Sequence, residues 1–570
     1  MLAQGDKRLA HLALPMVHTK RHLSAVKNKT TTGERPDHQV LILGTGFAGI
    51  GTAIQLQKAG FTDFALIEKE ADVGGTWFVN SYPGCACDVQ SHMYSFSFEP
   101  NPDWSREFSP QPEILAYLRR CADKYQVRSR VQFETQAVGA LYDERNSLWR
   151  VKLADAKAVE RYLQLRGLKP GDPLPENDPE QPPHRWVTAR VVVSGMGGLS
   201  TPSYPTLPGL DGFRGKTFHS QRWDHDYELT GKRVAVIGTG ASAIQFVPEI
   251  QPKLAKLDLY QRTPPWILPK PDRAISKPER WSYRNLPGLR LARRAALYAM
   301  LESRAIAFAL DPRLFKFAEP LARLYLKQQV PDKALRKKLL PSYSMGCKRV
   351  LMSNDWYKTL TRPNVEVVDS GIREVRAHSV VDKEGIERPV DAIIFGTGFR
   401  VHDVIPRGVI RGRDARDLVD SWPQGPEAYK GTTATGFPNL FFLLGPNTGL
   451  GHNSVVFMIE AQIHYIVQAL SHMRAHDLAE IEVKREAQAA FNASLVERSK
   501  GTVWTEGGCS SYYLHPVSGK NVAVWPDFTF KFAAATRHFD AQNYSVRSSS
   551  ALVTPVQAED ALLSRTPEVA

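Results

Sequence analysis

Two copies of a strand, a glycine-rich turn and a helix constrain this chain more than any other feature. In the first copy, an apolar run that begins at His38 ends in a GxGxxG pattern made by Gly44, Gly46 and Gly49. These glycines permit a tight turn, close approach of a pyrophosphate to the backbone, and close packing of helix on strand. The next apolar run ends at Glu68, 19 residues after the last glycine, near the spacing of an acid that binds a ribose hydroxyl. This unit predicts a site for FAD or NAD.

The second copy places Gly238, Gly240 and Ala243 at the three pattern positions, again between an apolar run and a helical pattern. Its second strand ends in an uncharged glutamine followed by Arg262 and Thr263, with no acid. A carboxylate there would repel a 2′-phosphate, whereas an arginine accommodates one. This unit therefore predicts NADPH, and the alternative for Arg262 is an ordinary surface ion pair.

Two such units predict an α/β fold with two Rossmann-like dinucleotide-binding domains, one for FAD and one for NADP, with a small helical insertion. A chain of this kind takes hydride from a nicotinamide and passes it to FAD. Disulfide reductases with this architecture carry a redox cysteine pair just after the first unit. Here Cys85 and Cys87 are too close in sequence for an ordinary disulfide loop, which disfavours dithiol exchange.

The formal net charge of +14 is concentrated in two segments of the 570 residues. Residues 1–36 carry +5, residues 271–340 carry +10, and the remainder carries −1. Basicity confined to two patches argues against a nucleic-acid-binding surface along the chain.

Cysteine content and hydropathy bear on the cellular location. The five cysteines form no CxxC pair and no cluster with histidines, so no disulfide framework and no metal site is expected. The chain has no signal-peptide apolar region and no apolar stretch of membrane-spanning length. We expect a cytoplasmic protein without a transmembrane segment.

Two longer strings carry a resemblance to a known family. Residues 74–88 read GGTWFVNSYPGCACD, and residues 213–224 read FRGKTFHSQRWD. They resemble the two fingerprints of type I Baeyer-Villiger monooxygenases at every fixed position, and the resemblance extends over about residues 38–540. The related flavin-containing monooxygenases, which oxidise amines and sulfides, usually end the second string with an aromatic residue other than Trp. Trp223 followed by aspartate favours the ketone-oxidising branch.

The resemblance implies a chemistry and the residues that perform it. NADPH reduces FAD, O2 then forms a flavin C4a-peroxide, and this species inserts one oxygen next to a ketone carbonyl to give an ester or lactone. The segment around Arg349 resembles the one that supplies an anion-stabilising arginine, a role that a permanently charged guanidinium suits. Asp88 resembles the acid that orients this arginine, and Lys348 is expected at the NADP phosphate or ribose. The alternative for Arg349 and Asp88 is a structural ion pair.

Further residues receive roles from their motifs. The first fingerprint assigns Gly75, Thr76 and Trp77, together with Asp88, to cofactor binding. We also assign Gly398 and Asn447 to cofactor binding. They lie in two later glycine-containing loops that follow apolar strands, and the alternative for the second loop is a plain strand-to-helix turn.

The second fingerprint and a C-terminal loop have less direct roles. His219 and Trp223, four residues apart, would face the same way if their segment is helical, and relatives use this connector to couple NADP binding to domain movement. The alternative is ordinary packing. The loop that begins at Cys509 resembles one that closes over the nicotinamide, where many relatives carry Trp in place of Tyr512, which leaves the pocket lining open.

The domain boundaries follow from the positions of these motifs. We predict flexible tails at 1–36 and 546–570 around two interleaved nucleotide-binding domains and one insertion. The segments are 37–211 and 392–545 for FAD, 212–272 and 342–391 for NADP, and 273–341 for the basic helical insertion.

The basic insertion has an apolar pattern of its own. Leu314, Phe317, Leu321 and Leu324, with Ala318 and Tyr325, follow a helical period, and the basic residues lie on another face. Pro320 predicts a kink or two shorter helices. A solvated basic face is the ordinary interpretation, and contact with anionic lipid or fatty substrates is the alternative hypothesis.

The sequence therefore predicts an FAD- and NADPH-dependent Baeyer-Villiger monooxygenase acting on a small ketone or sulfide and O2, with no nucleic-acid partner. One alternative is a flavin-containing monooxygenase that oxidises sulfur or nitrogen centres. An alternative from another class is a non-oxygenating FAD/NADP-binding redox or membrane-surface protein.

Overall fold

The computed structural model describes residues 34–175, 178–401 and 404–552. The described strands are β1 His38–Leu43, β2 Phe64–Ile67, β3 Val131–Gln132, β4 Thr135–Asp143, β5 Leu148–Asp155, β6 His184–Ser194, β7 Lys216–His219, β8 Arg233–Ile237, β9 Lys256–Tyr260, β10 Ile267–Leu268, β11 Leu351–Met352, β12 Val365–Val368, β13 Ile372–Arg376, β14 Ser379–Asp382, β15 Glu387–Pro389, β16 Ala392–Phe395, β17 Ile410–Arg411, β18 Leu440–Phe442, β19 Leu478–Val483 and β20 Tyr544–Ser548. The described α-helices are α1 Phe47–Lys58, α2 Thr76–Val79, α3 Gln111–Lys124, α4 Ala156–Leu165, α5 Ala243–Ile250, α6 Lys277–Asn285, α7 Leu289–Ser303, α8 Phe315–Gln329, α9 Lys333–Lys338, α10 Trp356–Leu360, α11 Val455–Ala475, α12 Arg485–Ser499, α13 Val503–Glu506 and α14 Thr529–Ala535.

The first predicted nucleotide unit forms part of the larger sheet. Its strand order is β17-β4-β5-β6-β1-β2-β3, and β18 also pairs with β6. Strands β1 and β2 are parallel and fully buried over most of their length, as their unbroken apolar runs predict. The helices α1 and α11 pack against each other beside this sheet.

The second unit forms a five-stranded parallel sheet with the order β12-β9-β8-β16-β7. Strand β16 pairs with both β8 and β7, so Ala392–Phe395 lies inside the NADP sheet. The predicted boundary at residue 392 is therefore early by a strand, because an apolar run alone does not show which sheet it joins. The chain crosses back at the following glycines, where Phe399 bridges to Pro202.

A short parallel pair closes the base of the insertion. Strand β10 precedes the insertion and pairs with β11, which follows it. This pairing fixes the chain just after Arg349, because β11 begins two residues later. Helix α8 continues through Pro320 as one helix, so the predicted alternative of two shorter helices is wrong and the predicted kink stays a prediction.

The C-terminal strand β20 pairs with β19 and extends to Ser548. Arg547 donates to the carbonyl oxygen of Glu144 at 2.6 Å. Residues 546–552 therefore belong to the folded FAD region, and the predicted C-terminal tail is left with residues 553–570. These residues, like residues 1–33 of the predicted N-terminal tail, lie outside the described chain.

A disulfide joins Cys347 to Cys509 across 162 residues of sequence. The sequence predicted no disulfide framework, and its cysteine spacing gave no indication of this pair. Disulfides are uncommon in reducing compartments, so the pair weighs against the predicted cytoplasmic location, which stays a prediction. Within the described residues, no helix is long and apolar enough to span a membrane.

Candidate active site between two nucleotide-binding domains

The glycine turn after β1 leaves bare backbone where a dinucleotide phosphate would lie. Gly44 has a φ of +96°, and a Cβ on it would lie 2.8 Å from the carbonyl oxygen of Gly195. A Cβ on Gly49 would lie only 1.9 Å from the carbonyl oxygen of Gly44. A Cβ on Gly75 would lie 2.8 Å from the Cα of Gly46. Two glycine segments thus touch backbone to backbone, and this arrangement fits the FAD that the motif predicts.

Glu68 lies directly after β2, beneath this turn. Thr45 donates to one Glu68 carboxylate oxygen from its backbone nitrogen at 2.8 Å and from its hydroxyl at 2.6 Å. The backbone nitrogen of Glu70 donates to the other oxygen at 3.0 Å. Burial raises the pKa of Glu68, although these hydrogen bonds act in the opposite direction. The acid therefore holds the glycine turn in place at the position predicted for ribose binding.

The first fingerprint bridges the two domains. Thr76 begins the short helix α2, and the indole nitrogen of Trp77 donates to the hydroxyl of Tyr94 at 3.2 Å. Further along, the Tyr82 hydroxyl donates to Oε1 of Gln245 on α5 at 2.9 Å. Gly84 follows the proline of the same fingerprint. A Cβ on Gly84 would lie 2.7 Å from the backbone carbonyl oxygen of Gln245. One end of the string therefore contacts the FAD turn and the other contacts the NADP-domain helix.

Asp88 closes the fingerprint and forms a two-point ion pair with Arg349. Nε of the guanidinium lies 2.6 Å from Oδ2, and Nη2 lies 2.7 Å from Oδ1. The Asp88 charge raises the pKa of Arg349 well above its usual value. Burial acts to raise the pKa of Asp88, but the charge and hydrogen bonds of Arg349 outweigh it and lower that pKa. Both groups are therefore charged at neutral pH, as the prediction requires.

Loops from the second part of the FAD domain surround this ion pair. Nη1 of Arg349 donates to the carbonyl oxygen of Leu450 at 3.5 Å, in the glycine loop before α11. Tyr513 and Tyr512 also lie near the arginine. Tyr513 is buried, whereas Tyr512 is 48% exposed. The disulfide links the 509–513 segment to Cys347, two residues before Arg349, so the predicted loop lies beside the predicted catalytic residue.

The second glycine turn repeats the close approach of the first. Gly238 has a φ of +108°, and a Cβ on it would lie 2.4 Å from the carbonyl oxygen of Gly396. Gly240 faces open space, and Ala243 is the first, buried residue of α5. These three residues therefore form an open turn at the helix start, which fits a nucleotide phosphate.

Two cations stand at the end of β9, where the sequence predicts a 2′-phosphate. Arg262 is exposed and Lys348 is half-buried. Burial lowers the pKa of Lys348, and the charge of Arg262 lowers it further, which shows that the two cations lie near each other. Within the described chain neither has a carboxylate partner, so the predicted surface ion pair for Arg262 is absent there. Thr263 lies beside them and accepts from the hydroxyl of Thr239 at 3.3 Å through its carbonyl oxygen.

His219 and Trp223 lie at the end of β7 and just after it. The segment is a strand followed by a 3-10 turn, so the helical geometry considered for this pair is wrong. His219 is fully buried, packs against Phe399, and has a pKa lowered to about 4 by burial. Trp223 packs instead against Phe246 of α5. His219 thus contacts the loop by which the chain returns to the FAD domain, and Trp223 contacts a helix of the NADP domain.

Gly398 and Asn447 both hold loops at the junction. Gly398 has a φ of +82°, and its carbonyl oxygen accepts from the backbone nitrogen of Ser203 at 2.9 Å. The Asn447 side-chain nitrogen donates to the carbonyl oxygen of Asn521 at 2.8 Å. The amide of Asn447 is therefore engaged within the chain, and its predicted contact with the cofactor stays a prediction.

Two residues at this site had no motif to indicate them. Gln245 binds Tyr82 through its oxygen and the carbonyl oxygen of Ala86 through its nitrogen at 3.0 Å. Lys270 lies close enough for its charge to lower the pKa of Asp88. Both stand in the NADP region but act on the first fingerprint, and only three-dimensional structure brings them together.

The fold and the site define a flavoprotein with two dinucleotide-binding domains whose ion pair, Asp88 and Arg349, joins a segment of one domain to a segment of the other. Two family models match segments of this chain. A model described as NAD(P)-binding Rossmann-like domain matches residues 42–109, and a model described as Flavin-binding monooxygenase-like matches residues 184–277.

Whole-length relatives narrow this class. A Baeyer-Villiger monooxygenase of Pseudomonas aeruginosa is 53% identical over 525 residues, which cover 92% of this chain and 94% of the relative. A Baeyer-Villiger monooxygenase of Streptomyces coelicolor is 44% identical over 509 residues, which cover 89% and 92%. Among solved structures, OTEMO in complex with FAD and NADP has a TM-score of 0.77 at 27% identity, covering 90% of this chain and all of that one. Cyclohexanone monooxygenase from Rhodococcus sp. Phi1 bound to NADP+ has a TM-score of 0.76 at 26% identity, with coverage of 90% and 99%.

The chain belongs to the Baeyer-Villiger monooxygenase family. This membership confirms the predicted fold of two dinucleotide-binding domains. It also confirms the predicted enzyme class, an NADPH-dependent flavoprotein monooxygenase with FAD and NADPH as cofactors.

Proposed function

We propose that this enzyme inserts one oxygen atom from O2 next to the carbonyl of a small ketone, and that Arg349 stabilises the negative charge that develops during the reaction. Bound FAD supplies the redox and oxygen-activating chemistry, and bound NADPH supplies the hydride. The chain itself contributes a fixed cation, its positioning acid and the backbone cradles for both nucleotides.

The observation that carries the proposal is the two-point ion pair between Arg349 and Asp88. Both carboxylate oxygens of Asp88 accept from the guanidinium, which fixes its plane. Among the described residues, the Nη1 group donates only to the Leu450 carbonyl oxygen, at 3.5 Å, so it has donor capacity left for an oxygen anion. A donor held in advance of the reaction needs little reorganisation when charge develops.

The assignment of NADPH to the second unit rests on Arg262 and Lys348. Two neighbouring cations repel each other, and a 2′-phosphate between them would remove that repulsion. Thr263 supports the same turn. We propose that these residues distinguish NADPH from NADH.

Product analysis tests the proposed reaction. The purified enzyme, supplied with NADPH and O2, is given separate panels of ketones, sulfides and amines, and oxygenated product is measured alongside released hydrogen peroxide. We expect esters or lactones from ketones. Sulfoxides or N-oxides without any ester would assign the enzyme to heteroatom oxidation instead, and peroxide alone from all panels would refute an oxygenating role for these substrates.

Arg262→Ala tests the nicotinamide assignment. Loss of one charge-assisted contact to a phosphate raises the KM for NADPH by about 10- to 100-fold and leaves the KM for NADH nearly unchanged. Initial rates of NADPH and NADH oxidation measure both values. Arg373→Ala, at an exposed arginine paired with Glu374, is the matched control and should leave the NADPH preference intact. An unchanged preference in Arg262→Ala would refute the assignment.

A further inference from the structure

The helical insertion exposes an unusual share of apolar side chains. It makes up about an eighth of the chain, yet it holds half of the large hydrophobic side chains that are exposed among the described residues. Exposed apolar groups scattered singly are normal, but a concentration of them in one element marks an interaction surface. The exposed set within the insertion is Trp281, Leu286, Leu291, Met300, Ile306, Leu310, Leu314, Phe317, Leu321 and Leu324.

Helix α8 presents the clearest part of this surface. Four of its apolar side chains fall within an arc of about 80° on the helix, at 3.6 residues per turn. We call this set the α8 stripe: Leu314, which precedes the helix in helical conformation, Phe317, Leu321 and Leu324. They are 38%, 80%, 57% and 50% exposed, respectively.

The core contacts of α8 come from a different side. Phe315, Ala322 and Leu326 are its buried residues. Four of the six residues of the apolar pattern recognised in the sequence therefore face outward, whereas Ala318 and Tyr325 are half-buried and pack against the core. A solvated basic face, the ordinary interpretation of this segment, does not explain why four large apolar side chains face solvent.

A row of cations borders the α8 stripe on the helix surface. The basic row consists of Arg313, Lys316, Arg323 and Lys327, and it occupies the neighbouring arc of about 80°. Asp311 pairs with Arg313 at 2.9 Å, and Glu319 approaches Arg323 at 3.8 Å.

Unlike the two arginines, the two lysines of the basic row form no ion pair with a described carboxylate. In the part of the chain that the structure describes, Lys316 and Lys327 have no carboxylate within ion-pair distance. The helix thus carries an apolar stripe and a cationic row side by side, both facing outward.

We propose that α8 docks on an anionic lipid bilayer, with the α8 stripe in the boundary between headgroups and acyl chains and the basic row on lipid phosphates. An exposed apolar arc beside lysines and arginines is the pattern of helices that lie in the membrane interface. Residues 271–340 carry a net charge of +10, which an anionic surface complements.

The same charge argues against two other occupants. A symmetric dimer through this face would bring two +10 segments together, and like charges would oppose it. A nucleic acid would satisfy the cations but would leave the four apolar side chains without an apolar partner. The bilayer interface satisfies both features.

The docked helix would lie close to the reaction site. Phe315 packs on Phe308, and Phe308 packs on Trp504, in a cluster that also contains Cys347 and Tyr513. The inner side of α8 therefore contacts the core that supports the segment before Arg349. The proposal concerns binding alone and does not depend on which substrate the enzyme oxidises.

Vesicle flotation of the full-length, FAD-loaded protein tests this proposal. We expect the protein to float with vesicles of phosphatidylglycerol and phosphatidylcholine, to float much less with phosphatidylcholine alone, and to detach as salt increases. The double variant Phe317→Ser/Leu321→Ser should bind at least about tenfold more weakly, because it removes two side chains from the interface. Lys316→Glu/Lys327→Glu should lose binding to the anionic vesicles as well.

Leu165→Ser is the matched control, since Leu165 is 80% exposed, as Phe317 is, but lies on α4 outside the insertion. It should float like the wild type. All variants change exposed residues, and retained FAD absorbance verifies their folding. The proposal is overturned if the wild type does not bind anionic vesicles, or if both double variants bind as well as the control. Self-association that Phe317→Ser/Leu321→Ser abolishes, without vesicle binding, would overturn it in favour of a second copy.

Discussion

Arg349→Ala should lose most of its ester formation while the enzyme still oxidises NADPH. Removal of a positioned donor to a developing oxygen anion lowers kcat by about 100- to 1000-fold in comparable sites. Hydride transfer to FAD does not involve this charge, so anaerobic reduction by NADPH should stay within a few-fold of the wild-type rate. The electrons should then appear as hydrogen peroxide in place of ester.

Two further variants separate a catalytic role from a structural one. Arg349→Lys keeps the positive charge but loses the two-point contact with Asp88, so it should retain only a small part of the ester activity. Asp88→Asn keeps the shape of the acid and removes its charge, so it should weaken the positioning of Arg349 and give an intermediate loss. If Arg349→Ala forms ester at the wild-type rate, Arg349 has no role in stabilising the anion. If its FAD reduction fails to the same extent, the ion pair is structural.

The sequence predicted the elements that local patterns encode. The glycine turns after β1 and β8 follow from apolar runs and glycine spacing, and the structure shows the close backbone approaches that these glycines permit. The pairing of Asp88 with Arg349, 261 residues apart, had no local signal and came only from family resemblance. The structure then gave its geometry.

Other features depend on tertiary contacts that no pattern encodes. The disulfide between Cys347 and Cys509 joins two segments without a spacing rule. Strand β16 reads as an apolar run that either sheet could accept, and its partners β7 and β8 decide the boundary. Helix α8 has two apolar faces, and only the packing of Phe315 shows which of them is buried.

The two fingerprints gain a physical meaning from Gln245 and its helix α5. The first string contacts this helix through Tyr82 and Gly84. The second string contacts it through Trp223, which packs on Phe246 of the helix. A movement of α5, whose N-terminal turn is the proposed nucleotide site, would therefore act on both strings. The first string ends at Asp88, so the nicotinamide domain is linked by short contacts to the residue that holds Arg349.

Gly49→Ala should yield protein that has lost most of its FAD. The added Cβ would lie 1.9 Å from the carbonyl oxygen of Gly44, and this atom belongs to the backbone of the turn and has no rotamer to change. Helix α1 must then move away from β1, which opens the cradle and destabilises the domain by about 1–3 kcal/mol. The ratio of FAD absorbance to protein after purification, together with the thermal unfolding midpoint, measures both effects.

Gly51→Ala, two residues later in the same helix, separates the cradle from the helix. A Cβ on Gly51 would lie 2.9 Å from the end of the Ile463 side chain and 2.9 Å from the ring of Phe96, and both are side-chain atoms that can shift. The two substitutions are chemically identical and change helix propensity equally, so they differ only in what the new methyl group meets. We therefore expect Gly51→Ala to retain its FAD. If Gly49→Ala keeps as much FAD as Gly51→Ala, the contact between helix and turn does not control cofactor binding, and the first glycine unit must hold its nucleotide in another way.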